Sequence, residues 1–383
     1  MSWEKDDAAN APDTGDEREY SMLSLPKWVK ASSNDVDKAR STIRQLFRDW
    51  SAEGTREREA TYRPVLEALE REFPAIDTNT SVVADEKASV EDSTSESISI
   101  DRGHVRVLVP GAGLGRLVFE ICRAGFAVEG NEISYHQLLT SSFILNHTTS
   151  AEQYALHPWS LSFSNILSRK DQLQKVMIPD VHPGEALNAA SEGCAVHAFD
   201  RMSMTAADFC IVYKDSEYKD RFNAVTTVFF IDTAPNLITY VETIQNCLES
   251  NGLWINAGPL LWHFGNKNDE GQSQGGDSNG KNDNKLNRGL PNDRSNPSTT
   301  TAKTSIDPPE NLGIGEPGSV ELSEDEVLEI VRHYGFVIER HNYLRTGYIQ
   351  NQKSMLQHEY VPSFWIARKV DRKWIFTSQD VPS

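Results

Sequence analysis

Cysteine is scarce in this 383-residue chain: Cys122, Cys194, Cys210 and Cys247 are all it has, and no two stand at CxxC spacing. That pattern gives neither a disulfide framework nor a zinc ligand set, and it suits a reducing compartment. Basic residues are also in short supply, 38 Lys and Arg against 56 Asp and Glu, for a net charge of −18. Nucleic-acid binding relies on Lys and Arg to neutralise phosphate, and anionic membrane surfaces are held the same way. Neither partner is expected. No apolar run approaches the roughly 20 residues that a membrane-spanning helix needs. The N-terminal stretch MSWEKDDAANAPDTGDERE has no apolar h-region, so no secretory signal is read there. A cytoplasmic or nuclear location follows as the expectation. No HExxH or similar ligand cluster occurs, so no metal is expected. The acidity itself reads as solubility, with a weaker implication of cationic or neutral small substrates.

With 38% hydrophobic residues the chain has enough for a sizeable core and too few for all of its length. Residues 1–33 read as a disordered acidic tail. Residues 34–75 read as a helical region. Ile43, Leu46, Phe47 and Trp50 recur at helical spacing, and a second helix from about Thr55 carries Tyr62, Val65, Leu66 and Leu69 until Pro74. Residues 76–102 are a Ser-, Asp-, Glu- and Thr-rich insertion. A core follows over 103–265, opening as strand, glycine-rich turn, helix and strand in VRVLVPGAGLGRLVFEICRAGFAVEGNE. FNAVTTVFFID (222–232) reads as a strand buried on both faces, and GLWINAG (252–258) as the next strand. Residues 266–318, rich in Asn, Gly, Asp, Ser and Pro, form a second insertion. Residues 319–378 complete the core with a helix, capped by Ser323 with Glu326 three residues on, and two antiparallel strands. The architecture expected is α/β: a mostly parallel, doubly wound Rossmann-like sheet with helices on both faces and a helical N-terminal extension.

The motif Val109-Pro110-Gly111-Ala112-Gly113-Leu114-Gly115-Arg116 sits between a strand and a helix. Glycines there permit positive φ and let the backbone approach a ligand closely. Glu132, 21 residues after Gly111, stands at the end of the second strand, where a carboxylate can accept both ribose hydroxyls. A nucleoside-containing cofactor fits this spacing. A dinucleotide fingerprint wants a third glycine where Arg116 stands, whereas G-x-G-x-G is the usual form in S-adenosylmethionine enzymes, whose cofactor has no pyrophosphate. Asp208 and Phe209, before the fourth strand, are the residue types that accept an adenine amino group and stack on its ring. Asp232 is placed at the end of the fourth strand, facing the reactive centre, with helix capping near Pro235 as its alternative duty. His263 follows the fifth strand, again on the carboxyl side of the sheet.

Five ordered segments, RDWSAEG (48–54), LVPGAGLGRL (108–117), GNEISY (130–135), FFIDTA (229–234) and WINAGPLLWHF (254–264), together resemble the carnosine N-methyltransferase family. The resemblance covers roughly residues 36–265 and 320–370. It implies a class I methyltransferase domain of seven strands with S-adenosylmethionine as cofactor. A Gln-x-x-Arg on the N-terminal helix, matching Gln45 and Arg48, would contact that cofactor, with Gly111 and Gly113 in the loop, Glu132 at the ribose, and Asp208 and Phe209 at the adenine. Asp232, His263, Tyr348 and Tyr360 would contact the acceptor, with Asp232 and His263 catalytic. The implied reaction is methyl transfer to the histidine imidazole of carnosine, giving anserine, or of a related dipeptide. A homodimer is implied as well. A protein-histidine acceptor and a non-catalytic scaffold on the same fold remain as alternatives.

Overall fold

The computed structural model describes residues 31–75, 101–192, 194–262 and 320–370. In chain order its helices are α1 (Ser33–Trp50), α2 (Thr55–Glu72), α3 (Arg116–Arg123), α4 (Tyr135–His147), α5 (Arg169–Gln172), α6 (Pro183–Ala189), α7 (Ala198–Arg201), α8 (Phe209–Tyr213), α9 (Leu237–Cys247) and α10 (Glu324–His333). The strands are β1 (Arg106–Pro110), β2 (Ala127–Glu132), β3 (Tyr154–Leu156), β4 (Val176–Ile178), β5 (Met202–Ala206), β6 (Phe222–Val228), β7 (Leu248–Gly258), β8 (Phe336–Tyr343) and β9 (Ser363–Lys369).

Seven strands make one sheet in the order β5-β2-β1-β6-β7-β9-β8. The pairings from β5 through to β7 are parallel, and β9 runs antiparallel to both β7 and β8. The chain moves outward from β1 through β2 to β5, then returns to β6 on the other side of β1. That reversal opens a crevice beyond the carboxyl ends of β1 and β6, where open α/β sheets bind ligands. This is the class I, Rossmann-like methyltransferase arrangement.

Alternation along β1 shows why the sheet is covered on both sides. Val107 and Val109 join one buried cluster with Leu114, Phe119, Val65 and Trp50, while Leu108 joins the other with Val225, Trp254, Val241 and Val331. The N-terminal helices therefore belong to the α3 face. Trp50 is fully buried and donates its indole N–H to the Leu114 carbonyl at 3.0 Å. Arg116 secures the same junction. Its guanidinium lies 4.8 Å from the Trp50 ring and donates to Asp180 at 2.5 Å and to the Asp49 carbonyl at 2.9 Å. The residue that breaks the dinucleotide pattern thus fastens the helical extension to the glycine loop.

Several boundaries differ from the sequence reading. β6 stops at Val228, so Asp232 does not end the strand but sits in a short 3₁₀ turn, Ile231–Thr233. The cause is Phe229, whose φ of +52° is incompatible with continuing an extended strand. Asp232 does not cap the next helix either, because α9 begins at Leu237 with the Asn236 side chain accepting from the Ile238 N–H at 3.0 Å. β7 begins at Leu248, ahead of the start expected at residue 252, and Asn251 is accommodated within it at φ +65°. The expected tail up to residue 30, the insertion at 76–100, the whole of 266–318 and the end from residue 371 lie outside the described residues, as does His263.

Candidate functional site

The crevice at the β1/β6 reversal holds a cavity of about 320 Å³, within the usual range for a small-molecule site. Its floor is the glycine loop. Gly111, Gly113 and Gly115 have φ of +65°, +57° and +76°, a region side chains seldom tolerate. Their surroundings differ. A Cβ on Gly111 would lie 2.4 Å from the Phe230 ring, and one on Gly115 would lie 2.7 Å from the Ser141 hydroxyl. A Cβ on Gly113 would meet nothing within 4 Å, because that position opens into the cavity.

Glu132, at the end of β2, closes one side. Its carboxylate accepts the Gly113 N–H at 2.9 Å, the Ile133 N–H at 2.9 Å and the Ser134 N–H at 2.7 Å. These bonds fix the carboxylate against the glycine loop. The Gln137 carboxamide lies 2.9 Å from both Glu132 Oε2 and Gln45. A carboxylate only accepts, so the Gln137 NH₂ faces Glu132 and its oxygen faces the Gln45 amide. Gln137 thereby links Glu132 to Gln45 along that side of the cavity. Asp208 caps α8, its Oδ1 accepting from Cys210 at 2.9 Å and Ile211 at 3.1 Å, while its side chain also lines the cavity. Beside it stand the rings of Phe209, Phe230 and Tyr240. Phe209 meets each of the other two edge-on at 5.6 Å, and Phe230 and Tyr240 stack at 4.8 Å. This is an aromatic slot with a carboxylate at its mouth.

The opposite wall is built around one buried cation. Arg48, 7% exposed, comes from the last turn of α1, with Gln45 one turn earlier. Its guanidinium is 4.9 Å from the Tyr348 ring, 5.2 Å from Tyr62 and 5.5 Å from Phe229. Asp49 and Glu57 lie 3.4 and 4.0 Å away. Burial works against this charge, yet Tyr62, Asp49, Tyr348 and Glu57 together hold the guanidinium above its ordinary range. Burial likewise pushes the Tyr62 and Tyr348 phenols up, so both stay protonated near neutrality. Phe229 is the strained point: an aromatic residue at positive φ, with its N–H on the Ala257 carbonyl at 2.9 Å and its ring 4.7 Å from Tyr348.

Eight residues singled out from sequence, Gln45, Arg48, Gly111, Gly113, Glu132, Asp208, Phe209 and Tyr348, therefore line one cavity. Asp232 lies just behind that wall. It is 4% exposed, accepts the Leu261 N–H at 3.1 Å, and its charge acts on the Tyr348 phenol. Tyr360 does not line the cavity. Its backbone pairs with Thr346, closing the loop that carries Tyr348. Asp49, Tyr62, Gln137, Phe229 and Tyr240 line the cavity without having been singled out as site residues. Phe229 stood in a noticed motif, but nothing in that motif announces its backbone angle. Tyr62 read as one more apolar position on α2.

The sequence profile of carnosine N-methyltransferase matches residues 26–84 and 88–371. The chain belongs to the carnosine N-methyltransferase family. A carnosine N-methyltransferase of Schizosaccharomyces pombe is 36% identical over 87% of this chain and 71% of its own length. One from Rattus norvegicus is 32% identical over 92% of this chain and 68% of its own. Among solved structures, an S-adenosylmethionine-dependent methyltransferase from Methanosarcina mazei shares 12% identity, covering 69% of this chain and 92% of that one at a TM-score of 0.36. This family member is an S-adenosylmethionine-dependent N-methyltransferase.

The cavity fits that cofactor. Gly113 leaves its floor open, Glu132 offers a fixed carboxylate at the end of β2, and the Phe209 slot accepts a flat ring.

Proposed function

We propose that this enzyme methylates an imidazole nitrogen of the histidine in carnosine, giving anserine, or in a related His-containing dipeptide. The observation that carries the reading is the buried Asp232 carboxylate, set just beyond β6 behind a cavity whose other side suits a nucleoside. The carnosine N-methyltransferase names of the relatives support it. A dipeptide acceptor also agrees with a chain that carries an acidic excess and no basic stripe.

S-adenosylmethionine supplies an electrophilic methyl group on a sulfonium. Gly111 and Gly113, Glu132, Asp208 and Phe209 would hold it, with Gln45 and Arg48 at the other end. The acceptor needs no strong base, because imidazole, with a reference pKa near 6.5, is largely neutral at pH 7 and keeps a free lone pair. It needs a fixed tautomer and an in-line pose, and orientation of this kind is worth on the order of 7–11 kcal/mol. Asp232 accepts the N–H of the ring nitrogen that is not methylated, which selects the tautomer and offsets the positive charge arriving on the ring. His263 would hydrogen-bond the ring or the dipeptide backbone and Tyr348 would hold a polar end, while Tyr360 acts only by closing the loop that carries Tyr348. A homodimer in the cytoplasm or nucleus belongs to the same proposal.

Steady-state kinetics of Asp232→Asn test the central role. Asparagine keeps an oxygen for the Leu261 N–H but removes the charge. The expected result is a loss of about 10²–10³ in kcat, with S-adenosylmethionine affinity unchanged. A folded variant with undiminished turnover would remove Asp232 from the mechanism.

A further inference from the structure

Glu57 lies in the first turn of α2, where a carboxylate already gains from the helix dipole. It is 7% exposed, and a buried carboxylate needs hydrogen-bond donors. The donors come from nearly three hundred residues further on. Oε2 accepts the Ile349 N–H at 2.7 Å, and Oε1 accepts the Gln350 N–H at 2.8 Å. Oε2 also lies 4.0 Å from Arg48 Nε.

The turn held this way is an unfavourable one. Ile349 has φ +51°, a conformation that β-branched residues rarely adopt. Gly347, on the other side, is packed so closely that a Cβ there would lie 3.0 Å from Glu57 Oε1 and 2.6 Å from Gln350 Oε1. Between the two stands Tyr348, its ring over the Arg48 guanidinium and against Phe229. Two charge-assisted hydrogen bonds to consecutive amides offset the cost of the left-handed turn and determine where Tyr348 points.

We infer that Glu57 is a positioning residue: it clamps the 347–350 turn, seats Tyr348 in the cavity wall, and so sets how tightly the acceptor binds. This rests on the reading that Tyr348 contacts the acceptor. A role confined to the start of α2 would alter stability alone. A clamp acts on acceptor KM, and acts through Tyr348.

The test uses the full chain and Glu57→Gln, in which one of the two accepting oxygens becomes a donor. Hydrogen exchange of the ligand-free protein should show the Ile349 and Gln350 amides exchanging at least about tenfold faster, the scale of one charge-assisted bond. Unchanged exchange removes the clamp. In methyl transfer to carnosine, KM for carnosine should rise about tenfold. The value of kcat should stay within about threefold of wild type, and S-adenosylmethionine affinity, which Glu57 reaches only through its 4.0 Å approach to Arg48, should fall by less than KM for carnosine rises. In a Tyr348→Ala background, Glu57→Gln should add less than about twofold to KM. Additive effects, or faster exchange with unchanged KM, overturn the positioning role. If the wild-type enzyme transfers no methyl group to carnosine, the acceptor reading fails, and exchange alone decides the clamp. Should Glu57→Gln fold poorly, Glu57→Asp, which keeps the charge one methylene short, goes through the same measurements.

Discussion

One added methyl group at Gly113 separates cofactor binding from the folding of its loop. Gly113 holds φ +57°, so alanine there costs about 1–2 kcal/mol for the left-handed backbone. For a domain of this size that corresponds to a fall in melting temperature of about 2–8 °C. The new Cβ touches no protein atom within 4 Å, so the fold has nothing further to rearrange. What it enters is the cavity. S-adenosylmethionine affinity should therefore fall at least about tenfold, or ~1.4 kcal/mol, a loss independent of the stability cost. Gly111→Ala provides the contrast. Its Cβ would lie 2.4 Å from the Phe230 ring, so overpacking adds about 1–3 kcal/mol to a similar backbone cost. Titration calorimetry with S-adenosylmethionine and melting of the ligand-free proteins measure the two quantities. If Gly113→Ala bound the cofactor as wild type does, or if Gly111→Ala were no less stable than Gly113→Ala, the assignment of this loop would be refuted.

Arg116→Met should lower stability by about 1.5–3 kcal/mol, because it strips one charged hydrogen-bond partner from the half-buried Asp180 carboxylate and leaves Arg58 alone to pair with it. A loss below about 1 kcal/mol in chemical denaturation would show that the junction between α1 and the glycine loop rests on other contacts. Glu324 gives a pH-dependent case. Burial raises its pKa, but hydrogen bonding with Ser363, Tyr343 and His341 outweighs burial and holds it below the ordinary value of 4.5. A depressed carboxylate contributes stability above its unfolded value and loses it as pH falls through the folded one. Wild type should therefore exceed Glu324→Gln in melting temperature at pH 6 by an amount worth up to about 1 kcal/mol, with the gap closing below pH of about 4.5. A gap that persisted at pH 3 would contradict this.

Much of the cofactor half of the cavity was legible in the sequence, since it depends on local chemistry. Glycines at 111 and 113 and an acid at 132 have few other reasons to stand where a strand meets a helix. The acceptor half was less legible, because its parts meet only through the tertiary fold. Phe229 comes from beyond β6, Tyr348 from a loop after β8 and the cofactor-side Arg48 that both rings face from α1, and no spacing along the chain relates them. Asp232 was recognised but misplaced: the apolar run 222–232 read as one strand, and the positive φ of Phe229 that ends it early has no signature in composition. Likewise β5, Met202–Ala206, is short and half-exposed, so neither periodicity nor hydrophobicity marked it. Gln137 and Glu57 are ordinary polar residues on helices until the fold brings their partners to them.

The central claim is tested most directly by methyl transfer from labelled S-adenosylmethionine to carnosine, with free histidine and a His-containing protein extract as parallel acceptors. The proposed function predicts label on carnosine, in a product with a methylated imidazole nitrogen, and little on the other two. Label in protein alone would keep the methyltransferase and discard the dipeptide acceptor, and no label anywhere despite cofactor binding would contradict the proposed reaction altogether.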